Sequence, residues 1–221
     1  MKNTTCQSLY SYVVAHDSGF APNPFRNFCT LATCKPPIRR DASLGDWVVG
    51  TGSANKRKVD RGGFFVYAMR VCEILCFKQY WNDPRFKKKK PHLCGSYLMA
   101  CGDNIYYPLG DGKWGQLDSY HSNTDGSPHQ KHIERDTKIN RVLISDDFIY
   151  FGGEGPKIPD SLKRLVKQGR GYRKLKYQNM EHRSIIMKFE TWFKGLRAEG
   201  YKGYQGRPFD MIKETKKEKR K

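Results

Sequence analysis

The sequence predicts an α+β fold. Short runs rich in β-branched and aromatic residues fill residues 9–151, one strongly amphipathic helix comes late, and 38% hydrophobic with 13% aromatic residues in 221 supply a core.

Residues 9–15 read as a first strand, ended by the turn Asp17-Ser18-Gly19. In residues 20–25, Pro22 and Pro24 forbid regular structure and hold Phe20 and Phe25 in a loop. Gly45-Asp46 then introduces a short strand, residues 47–52. Residues 64–77 read as one long strand with a helical turn at residues 79–81, and residues 97–107 and 141–151 as further strands. The turn Asp111-Gly112 and a polar loop, residues 121–132, lie between those last two. Residues 159–168 begin like a helix. Residues 181–199 are the clearest one: Ile185, Ile186, Phe189, Trp192, Phe193 and Leu196 share a face, and Gly200 closes it.

The seven cysteines are odd in number, in a chain too long for a disulfide scaffold, so reduced thiols are expected. None forms C-x-x-C, and neither a metal nor a cofactor is expected. Cys72 and Cys76, inside the apolar run 64–77, read as buried small hydrophobes.

With 41 Lys+Arg against 22 Asp+Glu the net charge is +19, which points to polyanions, nucleic acid first; the charge does not choose between DNA and RNA, and the expected partner is DNA before RNA. Residues 1–110 carry 16 basic and 7 acidic residues, 111–155 carry 5 and 8, and 156–221 carry 20 and 7. Phosphate contacts are expected from Lys87, Lys88, Lys89 and Lys90, in an exposed loop between Pro84 and Pro91, and from Lys163, Lys167, Arg170, Arg173 and Lys174, interleaved with glycine and tyrosine. The end, residues 213–221, reads as a frayed tail. No run approaches the roughly 18 apolar residues of a membrane span, and a cytoplasmic location is expected.

Phosphate-binding loops, the dinucleotide fingerprint, H-E-x-x-H, G-x-S-x-G and the zinc deaminase pattern are absent from the sequence. Three polar constellations remain. Asp17, Asn23, Cys29, Lys35, Arg39 and Arg40 crowd a proline-stiffened stretch that suits a pocket, or an ordinary surface loop. Asp103 and Asn104 read equally as base-edge readers and as turn residues. His121 stands between Ser119 and Ser122, where alternation on a strand would aim Ser119 and His121 to one side; it reads as a general base or as a loop histidine bonded to serine.

The segments 9–14, 19–25, 29–36 and 45–53 together resemble the nucleotide modification associated domain 2 family, and the likeness continues through 83–86, 102–106 and 119–122 to 150–152, about residues 8–155. The resemblance implies a role near nucleic-acid base modification in bacteria or their phages, with no catalytic residue to carry across. The order of strand, pocket segment and Gly-Asp before an apolar strand is similar in architecture to PUA-like barrels of the EVE and ASCH types, which hold a modified or flipped base near the first strand. The expected fold is then a small PUA-like mixed β-barrel or strongly curved sheet with flanking helices over residues 1–155, and a basic helical C-terminal segment, 156–221, packed on it.

The leading expectation is a module that binds nucleic acid and recognises a modified or flipped base, working with other proteins of a modification or defence system. Its base pocket would comprise Asp17, Asn23, Phe25, Lys35, Arg39, Trp47, Asn104, Ser119 and Ser122. Trp47, in an apolar strand, reads more simply as core, and Phe25 as the exposed stacking ring. The alternative is an enzyme on a nucleobase or nucleotide, with His121 or Asp103 as acid-base group and Cys29 as nucleophile.

Overall fold

The computed structural model describes residues 6–54, 60–167 and 169–210. In chain order the strands are β1 (Ser8–Val14), β2 (Cys29–Leu31), β3 (Trp47–Gly52), β4 (Phe65–Arg70), β5 (Glu73–Leu75) and β6 (Tyr106–Gly110). They continue as β7 (Lys113–Gln116), β8 (Val142–Ser145), β9 (Asp147–Tyr150), β10 (Tyr172–Lys176) and β11 (Gly203–Tyr204). The α-helices are α1 (Pro36–Asp41), α2 (Phe77–Asn82), α3 (Tyr97–Ala100), α4 (Gln130–Thr137) and α5 (Met180–Ala198). The chain forms two units, the first from residues 1–18, 42–72 and 146–221, the second from residues 19–41 and 73–145.

The first unit is built on a six-stranded mixed sheet ordered β10-β1-β3-β4-β9-β11. β1 runs parallel to β3, with Leu9 opposite Trp47, and antiparallel to β10, with Ser8 opposite Lys176. All six residues of β3 are buried, as its unbroken run of apolar and small residues requires of a central strand. α5 starts where the Asn179 side chain accepts from the His182 amide at 3.0 Å and ends before Gly200, whose φ of 96° suits only glycine well. Its apolar face packs against Leu9, Trp47, Phe65 and Ile149. The second unit holds an antiparallel sheet ordered β2-β8-β5, the β6-β7 hairpin, and a core that includes Phe20, Phe77, Tyr80, Phe86, Tyr106 and Ile133.

The architecture is mixed α+β, and its sheet is open: β10 and β11 are the two edges, so the expected barrel does not close. The part after residue 155 is only partly helical, because β10 and β11 come from it. The run 64–77 is not one strand. Val71 exchanges backbone hydrogen bonds with Gly45 and Asp46 at 2.8 Å, and the chain then leaves for the other sheet as β5. Cys72, at that break, is exposed, and Cys76 is half-buried as the cap of α2, so neither is the buried hydrophobe expected. The runs 97–107 and 141–151 divide as well, into α3 and β6 and into β8 and β9. Residues 160–165 form a 3-10 helix, while Gln168 and the tail 213–221 lie outside the described residues. Among the described residues no helix is long and apolar enough to cross a membrane.

Candidate functional site

The site lies in the second unit and begins where β2 gives way to α1. Cys34 and Lys35 take left-handed φ values of 59° and 43°, a conformation that costs non-glycine residues about 1–3 kcal/mol each and persists only where the surroundings fix it. Here they do. The Cys34 amide donates to Asp136 Oδ1 at 3.1 Å, and its carbonyl accepts from Arg39 Nε at 2.9 Å. Arg39 has no exposed surface and also donates to the carbonyls of Asp136, Ile139 and Arg141 at 2.6–2.8 Å. One planar guanidinium thus ties the Cys34 loop to the end of α4, which carries Asp136.

Asp136 Oδ2 accepts from His121 Nδ1 and from the Tyr106 hydroxyl, each at 2.9 Å, while Oδ1 accepts from Arg135 Nε at 3.1 Å. The other imidazole nitrogen, Nε2, lies 3.5 Å from Cys34 Sγ. His121 is 9% exposed and Cys34 is half-buried, so the chain of groups runs from a buried carboxylate to a thiol at its outer end. The histidine backbone is fixed too: its amide donates to Ser119 Oγ at 3.3 Å, and its carbonyl accepts from Gln116 Nε2 at 3.2 Å and His132 Nδ1 at 2.9 Å. Ser122 Oγ accepts from the Ser119 amide at 2.9 Å and donates to the Leu117 carbonyl at 3.1 Å, closing that turn.

Burial is the strongest single influence on His121 and opposes its charge, yet its bonds to Asp136 and Cys34, with their charges, outweigh it and raise its pKa to about 9. For Asp136 burial again acts most strongly, upward, but the hydrogen bonds from His121 and Arg135 hold the carboxyl well below the usual carboxylate range. Burial pushes the Tyr106 phenol up, which keeps it a donor. Thiol, imidazole and carboxylate in line, with the carboxylate fixing the imidazole tautomer, is an arrangement that activates a cysteine nucleophile.

Asp103 sits in a second cluster of the same unit. It accepts from Thr30 Oγ1 at 2.7 Å and the Tyr80 hydroxyl at 2.8 Å. Lys89 Nζ donates to Thr30 Oγ1 at 3.0 Å, to both Asn23 oxygens at 2.6 and 3.1 Å, and to the Phe28 carbonyl at 3.0 Å. Burial pushes Asp103 up and brings Lys89 down to about 8, each partly opposed by the other's charge. Gly102 lies so close to the Lys89 carbonyl that a Cβ there has no room.

These positions correct several expectations. Cys29 is fully buried, and desolvation pushes its thiol well above the ordinary cysteine value, whereas Cys34 is half-buried next to His121. Asp103 is enclosed, with its oxygens engaged by Thr30 and Tyr80. Asn104 donates to the Tyr80 and Phe86 carbonyls at 3.0 and 3.3 Å, and Asn23 donates to Gly19 and Cys101 at 3.1 and 2.6 Å; both bind their own fold. Phe25 is 5% exposed, because the Asn23–Thr30 bridge folds its loop inward, and is no exposed platform. In the first unit Trp47 packs 4.7 Å from Phe193 and donates to Glu190 at 3.1 Å, and Asp17 accepts from the Tyr150 hydroxyl at 2.6 Å. Ser119 and Ser122 belong to a turn rather than a strand. Lys35, half-buried beside Cys34, has its pKa lowered by burial.

Of the basic run, Lys87 and Lys88 are exposed, but Lys89 is buried at the end of a 3-10 helix, Pro84–Lys89, and Lys90 lies 3.4 Å over the Trp81 ring. In the first unit Lys163 and Arg170 are exposed, Lys167, Arg173 and Lys174 partly so, and Lys174 lies 5.1 Å over Tyr10. Cys34 and Asp136 are the residues the sequence reading passed over. A signal for the second was present: residues 132 and 136 stand four apart, the spacing of one helix face.

Fold and site define an α+β protein with a thiol–imidazole–carboxylate chain and, among the described residues, no group of side chains able to hold a metal ion. The chain belongs to the nucleotide modification associated domain 2 family, whose model matches residues 6–215. The likeness thus runs well past residue 155, where the resembling segments end, and it associates the chain with nucleotide modification. No curated protein and no solved structure matches the sequence.

Proposed function

We propose that the protein is a cysteine-dependent enzyme that modifies a nucleotide or a base of nucleic acid. The observation that carries this reading is Cys34 Sγ held 3.5 Å from His121 Nε2, with Asp136 2.9 Å from Nδ1. In the neutral form of the His121 imidazole Nε2 takes the Cys34 proton, and the sulfur electron pair forms a bond to an electrophilic carbon of the substrate. The leaving group departs with the electron pair of its own bond and takes the proton from Nε2. An acceptor then gives its proton to Nε2 and bonds the same carbon, and the sulfur leaves with the C–S electron pair and takes that proton back from Nε2. Asp136 and Tyr106 stay in place throughout, the carboxylate balancing the imidazolium.

A second reading keeps base recognition without chemistry, in the manner of PUA-like domains, and is favoured by the exposed cations Lys87, Lys88, Lys163 and Arg170 in a chain of net charge +19. Under either reading the partner is nucleic acid, DNA ahead of RNA, in the cytoplasm and alongside other proteins of a modification or defence system. Iodoacetamide labelling followed by mass spectrometry separates the two. A nucleophilic Cys34 is alkylated faster at neutral pH than the more exposed Cys72 and Cys94, and His121→Gln removes that advantage. Labelling that merely follows exposure leaves the binding reading alone.

A further inference from the structure

Tyr120 stands next to His121 and differs from it in one respect: it is 49% exposed, against 9% for the histidine. Its ring is nonetheless fixed. Phe20 lies 5.8 Å from it and 4.8 Å from the His121 ring, so one aromatic side chain braces both. Its hydroxyl end is held by Cys101 Sγ at 3.9 Å and by a hydrogen bond with Tyr97, and its backbone belongs to the turn that Ser119 and Ser122 close. A ring braced by Phe20 and at its hydroxyl, with half its surface in water and next in sequence to the histidine that reaches Cys34, is organised to receive something flat. A nucleobase fits, because every base has a π face and stacking on a tyrosine needs no particular hydrogen-bond pattern.

Building on the Cys34 reading, we propose that the accessible face of Tyr120 is the seat of the substrate's nucleobase, which stacks there while its sugar or a base carbon is presented to Cys34. Tyr120 is then a binding residue, and Tyr120→Ala weakens nucleotide binding roughly 5- to 150-fold, the range that loss of one base–aromatic stack brings.

The test uses the full chain and the rate of Cys34 alkylation by iodoacetamide, with deoxycytidine and deoxyadenosine monophosphates as protecting probes and ribose 5-phosphate as the baseless control. Wild-type Cys34 is protected by both nucleotides and not by the sugar phosphate. Measured against its own unprotected alkylation rate, Tyr120→Ala needs the larger nucleotide concentrations for protection, and Tyr120→Phe is protected as wild type is. Undiminished protection in Tyr120→Ala, or equal protection by ribose 5-phosphate, overturns the proposal. Quenching of 2-aminopurine riboside fluorescence gives a reading that does not pass through Cys34. Quenching that is lost in Tyr120→Ala but kept in Tyr120→Phe and Cys34→Ser supports the seat even where Cys34 proves unreactive and the enzyme reading falls; equal quenching in wild type and Tyr120→Ala overturns it.

Discussion

Asp103 and Asp136 are both fully buried carboxylates of the second unit, each bonded to a tyrosine hydroxyl and each close to a group that carries positive charge. They differ in where the hydrogen bonds lead. From Asp103 they pass through Thr30 to Lys89 and end on Asn23 and the Phe28 carbonyl, all inside the fold. From Asp136 they pass through His121 to Cys34, which is half-buried and meets the surface. A closed network of buried charges specifies packing; one with an outer end can hand a proton to a ligand. The two also titrate in opposite senses. Lys89 and Asp103 are pushed toward neutrality by burial, whereas His121 and Asp136 are pushed toward their charged forms because their mutual attraction wins.

The contrast breaks most readily at Lys89. Lys89→Met leaves a buried carboxylate without its cation and is expected to cost about 3–5 kcal/mol in urea unfolding, while Cys34→Ser costs less than about 1 kcal/mol. Similar losses at the two positions would mean that the Cys34 cluster is structural as well. Arg39→Lys comes next. A lysine cannot reproduce the guanidinium fork, so carbonyls are left unpaired; we expect a loss of about 2–3 kcal/mol together with slower Cys34 alkylation, and normal alkylation in a destabilised variant would deny Arg39 its part in placing Cys34.

The pH dependence sharpens the comparison further. His121 has a folded pKa raised to about 9, so the folded chain holds more protons than the unfolded one above the ordinary histidine value. Its contribution is complete below about pH 6.5 and is lost as pH rises through about 9. Lys89, lowered from 10.5 to about 8, works the other way, and its contribution rises with pH across that interval. The stability difference between wild type and His121→Gln should therefore shrink between pH 6.5 and 9, by on the order of 2 kcal/mol, as unfolding curves at fixed ionic strength can show. The smallest effect belongs to the neighbours of Lys89. Replacing Lys87 and Lys88 by Ala should leave stability within about 0.5 kcal/mol and reduce the log-log salt slope of DNA binding by up to about 0.9 per lost contact; an unchanged slope excludes these two from the interface.

Local patterning made β1, β3 and α5 legible, because each carries its own period and stop signal: the β-branched run before Asp17, Gly45-Asp46 ahead of Trp47, and the Trp192 stripe closed by Gly200. The breaks at residues 71–72 and 146 left no such mark. There the strand-forming composition is continuous, and only pairing with distant partners sends β4 and β5, or β8 and β9, into different sheets. His121 was legible as a polar group with hydroxyl neighbours. Its partners were not, since Cys34 and Asp136 lie 87 and 15 residues away and meet it only through β2, α4 and the Arg39 clamp. Lys89 was misplaced for a related reason: in a run of four identical residues, which one turns inward depends on the phase of a short helix.

The edge strand β10 has a consequence for synthesis. β1 lies between β3 and β10, and Ser8 waits for Lys176. On the ribosome β1 therefore has one open flank until most of the chain has emerged, and closing so long a loop is slow. During that interval a strand of Leu-Tyr-Ser-Tyr-Val-Val is free to pair with the same strand of another nascent chain. A chain cut after residue 155 would remain in that condition permanently, and its failure in solution would report on an unpaired strand edge rather than on the cluster around Cys34.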